Sequence, residues 1–244
     1  MTAPVLVIGA SGEVGEGIVT AFLNAGRHVI ATARSSNSLD ALRDRLSAPE
    51  RLSYLVGAIG SDEDTEALAD NAGDISDVIV AVNGQRRPSL LADIDTDTMT
   101  SLIKGDLLSH YAAVRCFLPR LPEDGCFIGI GGGSADFILD GGVYMSMAQA
   151  ALRVMYRGYA HERQHDSPAL RELIVASVVA GRTHEPGDID PLWVTPLEIG
   201  QQVVNMVERT QDYPGAIWRI SRRDESGRPV ITSESNSNAR VLPL

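Results

Sequence analysis

The sequence predicts an α/β protein with a doubly wound parallel sheet. Two observations predict it: short apolar segments rich in β-branched residues recur along the chain, and helix-like segments separate them. A strand, a helix and a second parallel strand form a right-handed crossover, so successive helices cover both faces of the sheet. Nearly continuous apolar composition is typical of strands covered on both faces. No linker divides the 244 residues, so we expect a three-layer α/β/α architecture in a single domain over residues 1–244.

The individual elements follow from the same pattern. The predicted strands are short and apolar, and they cover residues 5–8, 28–32, 52–56, 78–82, 126–130, 173–179 and 216–220. The predicted helices lie between them, at residues 14–24, 39–46, 65–70, 96–118, 143–161 and 196–208. Residues 221–244 are polar, which predicts a C-terminal tail or a hairpin.

Composition and charge argue against several classes of function. The net charge of −11 argues against a surface for nucleic acid or anionic lipid, because such surfaces are basic. No apolar run reaches the roughly eighteen residues of a membrane span, and no signal pattern precedes the first strand. We therefore expect a cytoplasmic protein in which Cys116 and Cys126 are buried thiols. The five histidines lack the spacing of metal ligands, so no metal site is predicted.

A glycine-rich turn joins the first predicted strand to the first predicted helix. Gly9, Gly12 and Gly15 have the spacing G-x-x-G-x-x-G, in which the middle glycine lets the backbone approach a pyrophosphate. The helix N-terminus presents N–H groups and the positive end of its dipole to the phosphates. This context predicts a dinucleotide site of the Rossmann type, and a glycine-rich turn without a ligand is the alternative. The predicted contacts are Gly9, Ser11, Gly12, Glu13, Val14 and Gly15.

The end of the second predicted strand distinguishes between two cofactors. A site for NAD carries Asp or Glu there, whose carboxylate accepts a hydrogen bond from the ribose 2′-hydroxyl. This chain has Arg34 and Ser35 instead, and a guanidinium suits a 2′-phosphate. We therefore predict that NADP is preferred over NAD, with an exposed loop arginine as the alternative. A Glu13 side chain pointing inwards would repel the pyrophosphate, so the possibility that no cofactor binds stays open.

Further motifs are similar to those of the short-chain dehydrogenase/reductase family over nearly the whole chain. They are the glycine pattern at 9–15, Ala-Val-Asn-Gly at 81–84, Val-Arg-Cys-Phe-Leu-Pro at 114–119, Gln-Ala-Ala-Leu at 149–152 and Val-Ala-Gly at 179–181. The resemblance implies the Rossmann fold, a small-molecule substrate and an NAD(P)-dependent oxidoreductase. It also adds Val82, Asn83 and Gly84 to the expected cofactor contacts.

The resemblance fails at the residues that carry the family's reaction. That reaction needs a tyrosine acid/base, a lysine that lowers the tyrosine pKa, a serine that orients the substrate and an asparagine. Aligned on the Ala-Ala-Leu motif, the tyrosine and lysine positions are occupied by Met145 and Gln149. The serine position, at the end of the fifth predicted strand, is nearest Gly132, and counting back from Leu118-Pro119 puts the asparagine position at Asp106. Aligning on Tyr144 instead puts Ala148 at the lysine position, so neither alignment gives the family's Tyr-x-x-x-Lys.

No lysine elsewhere in the chain can replace the family's missing catalytic lysine. Lys104 is the only lysine of the chain, and it lies two residues from Asp106 on the same predicted helix. At about 100° per residue the two side chains point roughly 200° apart, so Lys104 faces away if Asp106 faces the site. Arginine stays protonated and cannot move a proton. The usual hydride-transfer machinery is therefore absent from the sequence.

Other residues are candidates to line the pocket. Tyr144 and Asp106 are the candidate catalytic groups, Asp106 as an acid–base pair with His110; packing or an ion pair is the alternative for each. Basic and polar side chains on the loops that follow the strands predict an anionic substrate, and solvated loop charges are the alternative. These candidate substrate residues are Arg86, Ser134, Arg182 and His184, with Arg87 beside them.

Three functions stay open from the sequence. The first is an atypical NADP-dependent oxidoreductase with a different proton donor. The second is a non-redox enzyme on this scaffold, such as an isomerase, cyclase or dehydratase. The third is a cofactor-sensing or partner-binding protein of the NmrA-like kind. The resemblance further implies a homodimer or homotetramer, because the long helices at 96–118 and 143–161 pair subunits in the family.

Overall fold

The computed structural model describes residues 3–84, 87–163 and 166–234, and they contain one sheet of eight strands. In chain order these are β1 (Val5–Ile8), β2 (Val29–Ala33), β3 (Leu52–Val56), β4 (Asp77–Val80), β5 (Cys126–Gly132), β6 (Ala169–Ala176), β7 (Ile217–Arg223) and β8 (Pro229–Ser233).

Seven α-helices occur in the same ranges. They are α1 (Glu13–Asn24), α2 (Ser36–Arg45), α3 (Asp62–Ala72), α4 (Thr96–Ile103), α5 (Ser109–Phe117), α6 (Val143–Arg163) and α7 (Pro196–Glu208). The side chains of Ser35 and Ser61 cap α2 and α3 by accepting from Ser38 N and Asp64 N. These caps satisfy N–H groups of the first turn, and both helices begin three residues earlier than the apolar pattern alone predicts.

The sheet has the order β3-β2-β1-β4-β5-β6-β7-β8. All neighbouring strands are parallel except β7 and β8, which are antiparallel. The winding reverses between β1 and β4, where consecutive crossovers leave in opposite directions. In such sheets ligands bind in the crevice beyond the carboxyl ends of the strands at this reversal.

Two apolar cores lie on opposite faces of the sheet. Along β1, Val5 and Val7 pack into one core with Phe22 of α1, while Leu6 packs into the other with Phe117 of α5. Alternate residues of a strand point to opposite faces, so a strand covered on both sides is apolar throughout. The prediction of a three-layer, doubly wound α/β fold is confirmed.

Strand β6 begins at Ala169, four residues before the predicted start at 173. The sequence hides this start because the strand contains two charged residues, Arg171 and Glu172, and both are buried. Arg171 is neutralised by Asp166 at 2.6 Å and donates to the carbonyl oxygen of Tyr213. Burial raises the pKa of Glu172 to about 8, so this side chain enters the core as a neutral acid at pH 7.

The predicted helix at 96–118 is divided by a π-helical segment, Lys104–Leu108, which joins α4 to α5. One extra residue per turn changes the direction of the side chains on either side. Asp106 in this segment is buried, whereas Lys104 is exposed. Such π segments are frequent at functional sites.

The C-terminal part of the described chain is a hairpin of β7 and β8. Residues 235–244, part of the polar segment predicted as a tail or hairpin, lie outside the described residues. Cys116 and Cys126 are both buried and unpaired. Within the described ranges, no helix has both the length and the apolar composition needed to cross a membrane.

Candidate functional site

The glycine turn after β1 has the geometry of a phosphate cradle. Gly9 has a φ of +85°, and a Cβ on Gly15 would lie 2.1 Å from the Gly9 carbonyl oxygen. A Cβ on Gly12 would have one described atom within 4 Å, the Gly9 carbonyl oxygen at 3.5 Å. No side chain caps α1, so the first N–H groups of the helix stay available to an acceptor. The turn therefore leaves open space and donors where a dinucleotide presents its pyrophosphate.

Glu13 is the first residue of α1, and its carboxylate is held by the loop that follows β6. Thr183 donates its backbone N–H to Glu13 Oε1 at 2.8 Å and its hydroxyl to Oε2 at 3.3 Å. A Cβ on Gly181 would lie 2.4 Å from Glu13 Oε2, so the carboxylate occupies room that only glycine leaves. Sequence reasoning missed Thr183, which is 170 residues from Glu13.

A second contact joins the same two loops. Arg182 forms an ion pair with Glu16 at 2.9 Å and donates to the carbonyl oxygen of Ser11 at 3.2 Å. Glu16 also pairs with Arg45 at 2.8 Å. Arg182, predicted to bind substrate, is thus bound to the glycine-rich turn. Val14, the remaining predicted contact in the turn, packs against the core.

Arg34 and Ser35 follow β2 as predicted. Both are exposed, and the Ser35 hydroxyl caps α2. The guanidinium of Arg34 makes no ion pair or hydrogen bond with any residue in the described part of the chain. A cation without a carboxylate partner at the end of β2 is available to a phosphate.

One amide side chain, that of Gln149 on α6, joins the end of β5 to the residues that follow β4. The Gly132 backbone N–H donates to Gln149 Oε1 at 2.5 Å, and Gln149 Nε2 donates to Asn83 Oδ1 at 3.3 Å. Gln149 is buried, and an amide neither gives nor takes a proton at neutral pH. The network therefore fixes the cleft between β4 and β5 without supplying an acid or a base.

Asp106 contacts the segment that follows β4. Its Oδ1 accepts the backbone N–H of Gly84 at 2.7 Å, and the side chain is buried. Lys104 is exposed, and a Cβ on Gly60, after β3, would lie 3.9 Å from its Cε. Asp106 thus contacts the backbone N–H of Gly84, which is one of the predicted cofactor contacts.

Tyr144, the candidate proton donor, is buried at the start of α6. Its hydroxyl donates to the Arg87 carbonyl oxygen at 2.9 Å and accepts the Arg87 N–H at 3.1 Å. Both bonds attach the loop after β4 to the helix. This geometry favours a positioning role for Tyr144. Met145, beside it at the family's tyrosine position, is half-buried.

His110 does not form the predicted pair with Asp106. Its Nε2 lies 3.0 Å from the Val82 carbonyl oxygen and its Nδ1 lies 2.9 Å from the Tyr156 hydroxyl. A carbonyl only accepts, so Nε2 carries the proton and Nδ1 accepts from Tyr156. Burial lowers the pKa of His110 to about 4, so the ring is neutral at pH 7. Sequence reasoning missed Tyr156, because a tyrosine within an apolar helix face predicts packing.

Two of the remaining candidate substrate residues, Ser134 and His184, lie on segments that follow strands β5 and β6. Ser134 lies in a short turn after β5, where its buried hydroxyl makes no hydrogen bond with a described residue. His184 packs edge-on against Trp193 with ring centroids 5.1 Å apart. Arg86 lies outside the described residues. The described chain also contains no group of three or more His, Cys, Asp or Glu side chains arranged to hold a metal ion.

Comparison with known proteins identifies the family. The profile of a family described as short chain dehydrogenase matches residues 3–181, which is more than half of the chain. The chain belongs to the short-chain dehydrogenase family. A search of curated proteins finds no match to it.

Solved structures of short-chain dehydrogenases share the fold. A short-chain dehydrogenase/reductase from Burkholderia multivorans with bound NADP is 22% identical, with a TM-score of 0.72 over 93% of this chain and 99% of that one. An alcohol dehydrogenase from the archaeon Thermococcus sibiricus, complexed with 5-hydroxy-NADP, is 20% identical, with a TM-score of 0.74 over 92% and 100%. A family oxidoreductase from Burkholderia thailandensis is 19% identical, with a TM-score of 0.76 over 90% and 91%. At these identities the likeness concerns the fold.

Proposed function

We propose that this short-chain dehydrogenase binds NADP in the crevice between β1 and β4 and lacks the proton transfer of the family's carbonyl reduction. The observation that carries the proposal is the amide of Gln149, which spans Gly132 and Asn83. By the alignment above, the family has its lysine at position 149 and its serine at position 132. This chain has the neutral amide of Gln149 and the backbone of Gly132 at these positions, and the two are hydrogen-bonded to each other.

The donors around the crevice fit a dinucleotide. The uncapped start of α1 and the open space over Gly12 suit a pyrophosphate, and Arg34 suits a 2′-phosphate. Two similar structures, one with NADP and one with 5-hydroxy-NADP bound, support the same cofactor. NADPH supplies a hydride when it is bound; the residues of this chain would hold it and exclude water.

Proton transfer is the part of the reaction that the residues support poorly. The Tyr144 hydroxyl is engaged twice by Arg87, and Asp106 accepts from Gly84. Loss of a positioned acid or base typically costs about 10²- to 10⁴-fold in rate. We therefore expect slow reduction of simple ketones and aldehydes, with Tyr144 and Asp106 as the candidates for any turnover that remains. This loss favours cofactor binding as the retained property.

The proposed partners are a small molecule and a second copy of this chain. An apolar groove of about 580 Å³ lies between the π segment, α5 and α6, and it is lined by Leu107, Leu108, Tyr111, Ala150, Ala151, Val154 and Met155. These are the helices by which the family pairs its subunits, so a copy of the same face is the occupant we propose. The contacts of Arg182 and His184 do not favour the anionic substrate that the loop charges predict.

The test compares binding with turnover in one preparation. NADPH binding is measured by fluorescence, and NADPH oxidation is then followed with a panel of ketones and aldehydes. We expect saturable binding with oxidation at least about 10²-fold slower than in a family enzyme that has all four residues. Fast oxidation that survives both Tyr144→Phe and Asp106→Asn would contradict the proposal.

A further inference from the structure

Two loops that face the proposed cofactor crevice are joined by a side chain of the cofactor turn itself. Glu13 begins α1, and Thr183 follows β6, whose carboxyl end lies at the same edge of the sheet. The carboxylate takes the Thr183 N–H at 2.8 Å and the Thr183 hydroxyl at 3.3 Å. A carboxylate bound by a backbone N–H and a hydroxyl is held by the same kinds of donor that proteins use for phosphate.

The surroundings are built around this carboxylate. Gly181 leaves the room that it fills, since a Cβ there would lie 2.4 Å from Glu13 Oε2. The ion pair of Arg182 with Glu16 holds the same loop on the turn from its other side. No side-chain oxygen caps α1, so the helix offers its N–H groups to whatever anion enters.

We propose that Glu13 is a built-in competitor of the cofactor, whose carboxylate must leave Thr183 before the pyrophosphate of a dinucleotide binds between the two loops. The proposal rests on the proposed NADP site and adds its regulation. A ligand must displace a hydrogen-bonded group of like charge, so affinity is lowered in the resting protein. A signal that moves the loop at 181–184 would raise affinity without changing the cradle.

The repulsion between Glu13 and the phosphates of the cofactor sets the expected change in affinity. Two like charges a few ångströms apart repel more strongly near a protein surface than in water, and a tenfold change in affinity corresponds to about 1.4 kcal/mol. Removal of the charge at residue 13 should therefore tighten NADP binding by about tenfold.

The experiment is isothermal titration calorimetry with NADP and NADPH on the wild type, Glu13→Gln and Glu13→Ala. Glutamine keeps an acceptor for Thr183 while removing the charge, and alanine removes both. Glu208→Gln is the matched control, because Glu208 is exposed at the end of α7, on the opposite edge of the sheet. Thermal unfolding without ligand verifies that each variant is folded.

We expect both Glu13 variants to bind about tenfold more tightly than the wild type, and Glu208→Gln to bind as the wild type does. Wild-type binding with no tightening in either Glu13 variant would overturn this inference and leave the proposed function standing. Binding by the Glu13 variants alone would support the inference and contradict NADP binding by the resting wild type. Absence of binding in all four proteins would overturn both.

Discussion

The backbone N–H of Gly132 donates to the side-chain oxygen of Gln149 at 2.5 Å. From the alignment of the sequence we expect these residues at the positions of the family's serine and lysine, and here the two are hydrogen-bonded to one another. The same amide reaches Asn83 at 3.3 Å and fixes the end of β4. The cleft is thereby rigid and neutral, which is compatible with holding a cofactor and unfavourable for moving a proton.

Tyr144→Phe tests whether the phenol positions the loop after β4. The change removes both hydrogen bonds to Arg87, and we expect a loss of about 1 kcal/mol in the free energy of unfolding, measured in urea. Tyr159→Phe on the same helix is the control, since its hydroxyl makes no hydrogen bond within the described ranges. Unchanged stability together with loss of NADPH turnover would instead support a catalytic Tyr144.

Glu172→Gln tests the buried neutral acid on β6. Its pKa is raised to about 8 by burial, partly offset by Arg153, Arg219 and Arg157, while Glu234 raises it further. The folded state keeps the proton that the unfolded chain releases near 4.5, so this stabilisation is present below pH 4.5 and lost as the pH rises to about 8.

The wild type should therefore lose on the order of 2–4 kcal/mol of stability relative to Glu172→Gln between pH 5 and pH 8. Urea denaturation at the two pH values measures the difference, and Glu50→Gln at an exposed position serves as the control. A difference independent of pH would show that Glu172 is ionised throughout.

Arg34→Ala tests the cofactor preference. A charged contact with the 2′-phosphate is worth about 1.5–3 kcal/mol, so its loss should weaken NADPH binding at least about tenfold and leave NADH binding nearly unchanged. Arg228→Ala, in the turn between β7 and β8 at the opposite end of the strand order, is the control. An unchanged ratio of the two affinities would assign the preference to another residue.

Val154→Asp tests the proposed subunit contact. The Val154 side chain is 63% exposed in the apolar groove, and a carboxylate buried there on association would have no partner. We expect sedimentation velocity to show a dimer or tetramer for the wild type and a monomer for the variant. Val56→Asp, at another exposed valine on β3, should sediment as the wild type does. A monomeric wild type would contradict the proposal.

The sequence predicts those features of this molecule that depend on neighbouring residues. Glycine spacing locates the turn at Gly9 and Gly15, and apolar composition gives the strand bounds of β1 and β3 without error. The start of β6 is missed because Arg171 and Glu172 read as exposed charges until Asp166 and burial neutralise them.

Contacts between distant residues are not visible in the local pattern. Spacing alone pairs Asp106 with His110, but both ring nitrogens of His110 bind elsewhere, at the Val82 carbonyl oxygen and the Tyr156 hydroxyl. The contact of Glu13 with Thr183 depends on how the loop after β6 closes on the turn after β1. A single sequence identifies the two loops but does not determine the distance between them.

A calorimetric titration of the wild type with NADPH and, separately, with NADH tests the central claim most directly. The crevice between β1 and β4 should bind one NADPH per chain, more tightly than NADH, because Arg34 is unpaired in the described structure and no carboxylate follows β2. Saturable binding with that order of affinities is the predicted result. Tighter binding of NADH, or no saturable binding of either dinucleotide, would contradict it.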